Sequence, residues 1–98
     1  MIITLSHREM LDTLQTLAVL EALNNSIDEL DEAMWCAVTK DHVLNTMHSD
    51  ASGCSVELDG EQCFGIWLAL DLYKQFAIET KLEDEIVYVS QLMAKLRG

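Results

Sequence analysis

DGEQCFGIWLALDLYKQFAIE, residues 59–79, is the stretch on which the fold turns. Asp59 is a good N-cap and Gln62 stands three positions later, the spacing at which both side chains satisfy free N–H groups of a helix start. From about Gly60 to Glu79, Phe64, Ile66, Trp67, Leu68, Leu70, Leu72, Tyr73, Phe76 and Ile78 point in most directions around a helix. A helix with no polar face has to be enclosed by others. The same residues admit a rival reading, a β-hairpin near 54–66 in which Cys54–Leu58 pairs with Glu61–Ile66 across Asp59-Gly60, a favoured two-residue turn. The helix is the preferred reading and the hairpin stays open.

Outward from this stretch the chain contains no proline, and glycine stands only at 53, 60, 65 and 98. Long helices are permitted almost everywhere. The cap pattern recurs at Ser6–Glu9, Ser26–Glu29 and Thr80–Glu83, which predicts four helices. The first is expected from about His7 to Leu23, with Met10, Leu11, Leu14, Leu17 and Ala18 on one face and Val19, Leu20 and Leu23 left over on another. The second is expected to begin at Ile27, with Ile27, Leu30, Met34, Ala37 and Val38 toward the core. It continues through Met47 or restarts at Thr39, and is finished by Ser49. The fourth, Lys81 to Arg97, carries a stripe of Leu82, Ile86, Val89, Met93 and Leu96, with Lys95 and Arg97 complementing the helix dipole. These readings give an all-α fold, a compact bundle of about four helices forming a single domain, 1–98.

Half of the 98 residues are apolar and 23% are charged, a composition that folds. Seventeen acidic residues against six basic ones leave a net charge of −11. Such a charge repels phosphates and anionic head groups, so direct nucleic-acid and membrane-surface binding are disfavoured. The asymmetry is local: between Glu9 and Tyr73 thirteen carboxylates face one cation, Lys40, whereas from Lys74 onward four cations balance four anions. Cys36, Cys54 and Cys63 form an odd, widely spaced set, and no secretory leader is evident, so a reducing cytoplasm is expected. The longest apolar run, Cys63 to Leu70, is far short of a membrane span.

Catalytic and metal-binding patterns are missing. Cys36, His42, His48, Cys54 and Cys63 have no close ligand pairs of the kind zinc sites use, and neither histidine is preceded by a carboxylate at the spacing of di-metal bundles. Nucleophile elbows and phosphate loops are absent. Asp28, Glu29, Glu83, Asp84 and Glu85 read as complements to helix dipoles, and Asp71 as part of a polar seam with Gln75 and Glu79. The expectation is a protein without metal, cofactor or enzymatic activity.

The most informative residue is Trp35. On a helical wheel it falls within about 20° to 60° of Asp28, Asp31 and Thr39, opposite Leu30 and Ala37, and His42 extends the same stripe. Either it packs on a neighbouring helix at the edge of a broad core, or it projects from an acidic surface as an anchor for a basic partner. The second reading predicts a partner-binding set of Asp28, Asp31, Glu32, Trp35 and His42. The leftover apolar residues Val19, Leu20 and Leu23 predict a homodimer interface. The function expected is that of a small acidic regulatory protein that docks on a basic protein surface, of the size and charge of inhibitors and nucleic-acid mimics carried by phages and mobile elements. The alternatives are a structural or chaperone-like subunit using the first helix, and a small ligand-binding or enzymatic bundle with a pocket near Trp67, Asp71 and Tyr73.

Overall fold

The structure is a computed structural model that describes residues 1–97. Four helices are joined to a small antiparallel sheet: β1 (Ile2–Leu5), α1 (His7–Ser26), α2 (Leu30–Thr46), β2 (His48–Asp50), β3 (Gly53–Glu57), α3 (Gly60–Glu79) and α4 (Glu83–Arg97). The helical reading of 59–79 holds. The Asp59 carboxylate accepts the Gln62 N–H at 2.7 Å and the Gln62 side chain accepts the Asp59 N–H at 3.0 Å. A strand does form just before it, but β3 lies between β1 and β2 and pairs with them, not with residues 61–66. The tight turn of the hairpin falls at Ala51–Ser52, where the Asp50 carboxylate accepts both the N–H and the hydroxyl of Ser52.

Two of the four expected cap pairs close helix starts, Ser6–Glu9 and Asp59–Gln62. The other two do not, and for the same reason. Ser26 is still helical, its hydroxyl donating to the Leu23 carbonyl at 2.7 Å, and α2 starts only at Leu30, without a side-chain cap. Thr80 closes α3 by donating to Phe76 O at 2.9 Å. Each junction is made by one residue in the left-handed region, Asp28 (φ 61) and Lys81 (φ 58). The next N–H then reaches back five residues, Glu29 to Asn24 O at 2.8 Å and Leu82 to Ala77 O at 2.9 Å, the bond of a Schellman turn. A left-handed non-glycine residue is strained, so Asp28→Gly is expected to raise stability by about 0.5–1 kcal/mol in thermal denaturation.

The second helix is continuous past Thr39 and is turned the other way from the expectation. Ala33, Cys36, Thr39 and Val43 are buried, whereas Leu30, Met34 and Val38 are 60%, 68% and 62% exposed, and Ile27 lies in the open junction. Size decides this. The buried positions Ala33, Cys36 and Thr39 are small, and permit closer helix packing than a row of leucine and methionine would. Trp35 turns inward with that face, and its indole lies on Gly65 of α3. In α1, Met10 and Leu17 are buried as expected, but Leu11 and Ala18 are exposed.

The chain is an internal repeat. α1 and α3 begin at His7 and Gly60 and end at Ser26 and Glu79, and α2 and α4 begin at Leu30 and Glu83; one interval of 53 residues separates every pair. The same interval relates the two caps and the two left-handed residues. Buried positions follow it: Ile3/Val56, Leu5/Leu58, Met10/Cys63, Thr13/Ile66, Leu17/Leu70, Cys36/Val89, Thr39/Leu92 and Val43/Leu96 are buried in both units. β1 pairs with β3 so that Ile3 faces Val56, its own equivalent, and the pair Ile2–Glu57 maps onto Thr4–Ser55. A pseudo-two-fold axis therefore passes through the Ile3–Val56 pair and relates two β-α-α units. β2 is the addition that breaks the symmetry.

Candidate protein-binding surfaces

Across the axis, the C-terminal half of α1 faces that of α3, and between them, floored by Ala69, Leu70, Val89 and Leu92, runs a groove of about 750 Å³. Its walls are equivalent residues of the two units, Val19, Leu20 and Leu23 on one side and Leu72, Tyr73 and Phe76 on the other. The three residues expected at a dimer interface are thus gathered on one wall. Val19, Leu23, Leu72 and Phe76 are each more than half exposed. They end two four-residue-spaced ridges, Leu11–Gln15–Val19–Leu23 and Phe64–Leu68–Leu72–Phe76, all of whose members are exposed. Helix α3 was expected to need cover all round; it lacks that cover along this ridge.

The other end of the groove is polar and internally satisfied. Arg8 spans Asp12 (3.5 Å) and Glu85 (3.2 Å), Tyr88 donates to Asp12 at 2.7 Å, and Tyr73 donates to Glu85 at 3.1 Å. The Arg8 guanidinium lies 3.9 Å from the Tyr88 ring centre. Burial raises the pKa of both phenols, and the carboxylates they bond raise it further, so both hydroxyls remain donors. Nearby, the Lys95 ammonium sits 2.6 Å from the buried Glu9 carboxylate. Burial pushes that carboxyl upward, but Lys95 and the Ser6 N–H outweigh it and hold it below the usual range. This network ties α4 to both α1 and α3, and its two cations offset all but one of its three carboxylates.

Asp12 and Tyr88 are the repeat equivalents of Gly65 and Trp35. On one side of the axis the two units are bridged by a phenol reaching a carboxylate; on the other a larger indole rests on a bare glycine. The indole fills its side, and the groove stays open on the tyrosine side, where α4 contributes Glu85, Tyr88, Val89 and Leu92.

A second surface is the outward stripe of α2. Leu30, Met34 and Val38 lie in line with exposed Asp31 and Asp41 beside them and Asp28 and Glu29 at the N-terminal end. Lys40, from the same helix, is held 2.8 Å from Glu21 of α1. Of the expected partner-binding set, Asp28 forms the left-handed turn, and Asp31 and Glu32 are exposed. Glu32 stands toward Cys36, whose thiol is pushed up by burial and by the charges of Glu21 and Glu32. His42 is within 2.8 Å of the Glu57 carbonyl, fastening α2 to β3. Trp35 does not project, so the set is not one continuous patch. The aliphatic stripe was missed as a surface feature because it was assigned to the core.

The pocket expected near Trp67, Asp71 and Tyr73 is divided. Tyr73 lines the groove, Trp67 lines a smaller cavity of about 370 Å³ with Met1, Cys63 and Arg97, and Asp71 lines neither. Among the described residues no three His, Cys, Asp or Glu side chains gather as a metal site, and no helix is long and apolar enough to cross a membrane. No protein-family description, curated protein or solved structure matches the chain.

Proposed function

We propose that the protein is a binding protein, not an enzyme, that docks through α2 onto a basic amphipathic segment of another protein. The observation that carries this is the α2 stripe, in which Leu30, Met34 and Val38 stand exposed among carboxylates. Exposed aliphatic rows on a helix suit the apolar face of a partner helix, methionine adapts to its shape, and the surrounding acids select lysine and arginine flanks. The anchor role assigned to Trp35 passes to Met34 and its neighbours; the acidic surroundings remain part of the reading. Covering a basic surface denies it to nucleic acid, which is how a small acidic inhibitor acts. A homodimer presents two such stripes.

The test is titration with an amphipathic helical peptide of leucine and lysine, about 18 residues long, followed by calorimetry. Binding is expected, with an affinity that weakens as salt rises. Met34→Glu is expected to weaken it at least about tenfold. That substitution adds negative charge, so attraction by net charge alone would strengthen binding. Unchanged or tighter binding by Met34→Glu, or equal binding of a leucine–glutamate peptide, would rule the reading out.

A further inference from the structure

We propose that two copies of the chain pack face to face through the paired ridges of α1 and α3, so that the groove of each copy is filled by the ridges of the other and four helices form the interface. This does not depend on what binds α2, and either reading can fail alone.

Three observations name a second copy as the occupant. The first is charge. With a net charge of −11, self-association is opposed wherever carboxylates would meet, as they would if α2 stripes paired through Asp31 and Asp41. The ridge positions carry no charge, and in the groove Arg8 pairs with both Asp12 and Glu85, which leaves a single net negative charge there in each copy. This is the large apolar face on which the chain can meet itself with little repulsion.

The second is area. From their fractional exposures, Leu11, Val19, Leu23, Phe64, Leu72 and Phe76 leave on the order of 600 Å² accessible, most of the roughly 800 Å² per partner of a stable interface. Leu68 and the half-buried wall residues Leu20 and Tyr73 add to it.

The third is symmetry. The face already contains a pseudo-two-fold axis, so a contact that suits the α1 ridge is offered again by the α3 ridge. A two-fold pair of such faces makes each kind of contact four times over and gives every ridge a partner. Ridges spaced by four residues interdigitate with one another in the commonest class of helix packing. The bulky members, Phe64, Leu72 and Phe76, belong to one ridge, and their equivalents Leu11, Val19 and Leu23 to the other. A large side chain on one copy thus has a smaller counterpart to meet on the other.

The experiment is sedimentation equilibrium on the whole chain and on two variants at matched concentrations, with circular dichroism on each. The native chain is expected at twice the 11.0 kDa of one copy. Leu72→Glu combined with Phe76→Glu, both at exposed positions, is expected to keep its helical signal and weaken the dimer at least about a hundredfold, to a monomer at micromolar concentration. Met34→Glu is expected to stay dimeric. A native chain that sediments as one copy at about 100 µM, weaker than a specific dimer of this area, overturns the proposal. So does a dimer that survives the double substitution or is broken by Met34→Glu. Should the double variant lose its helical signal, Val19→Glu on the opposite wall replaces it, with the same expected dissociation and the same overturning result.

Discussion

Gly65→Ala is expected to destabilise the fold by about 2 kcal/mol, lowering the midpoint of thermal unfolding by roughly 8–16 °C. Two effects compete. Alanine in place of a helical glycine is worth up to about 1 kcal/mol in favour of the substitution. A Cβ at position 65 would overlap the six-membered ring of Trp35, and relieving that overlap forces the indole off its seat. Overpacking of this kind costs about 1–3 kcal/mol, and lost indole burial adds to it, so the unfavourable side wins. A double-mutant cycle with Trp35→Leu separates the two. With leucine at 35 the overlap is gone, and Gly65→Ala should become neutral or stabilising. If it stabilises the chain while Trp35 is present, the indole does not occupy that position.

Gly53→Ala is expected to be the more damaging, at about 3 kcal/mol. Gly53 has φ 147, a conformation that L side chains rarely adopt, and an added Cβ would stand 2.7 Å from the Leu5 carbonyl oxygen. Unlike an indole, that oxygen cannot swing away. It belongs to β1 beside the register pair Leu5–Cys54, so relief means loosening the ladder on the pseudo-two-fold axis. Strain at the left-handed position costs about 1–3 kcal/mol and the disturbed pairing adds to it. Chemical denaturation at 25 °C measures it, with the slope unchanged if only stability is affected. A loss below about 1 kcal/mol would mean that β1 is not held against Gly53.

The helices were legible because their signals are local. Ser6–Glu9 and Asp59–Gln62 act as the sequence pattern says, and the absence of proline lets α2 run through Thr39. The junction caps misled because Ser26 and Thr80 sit at the ends of helices whose exits are made by Asp28 and Lys81, and a left-handed residue that is not glycine leaves little trace in a sequence. The orientation of α2 was misread because hydropathy weighs how apolar a face is, whereas packing selects the face that fits, here Ala33, Cys36 and Thr39. β1 was not anticipated: four residues, Ile2–Leu5, form a strand only because β3 lies beside them. The repeat leaves almost no mark in the sequence, since only Leu5/Leu58, Leu17/Leu70, Asp31/Asp84 and Glu32/Glu85 are identical among its 45 equivalent positions. Its one visible trace was the equal spacing of the two working caps. Of the surfaces, Val19, Leu20 and Leu23 could be recognised as unaccommodated by a single helix face, while their counterparts on α3 were lost in a helix that looked apolar everywhere.

The pairing of β1 with β3 also divides the folding reaction into two timescales. Each helical hairpin closes through a junction of three residues, Ile27–Glu29 or Thr80–Leu82, so its contacts lie near in sequence and form quickly. Joining the hairpins requires Ile3 to find Val56, a search across the whole of the first unit and the β2 turn, and the entropy of closing so long a loop is lost before the ladder returns any of it. Docking of the two hairpins, and not the winding of any helix, is thus the expected slow step, and the axis that organises the native molecule is expected to be the last part of it to form.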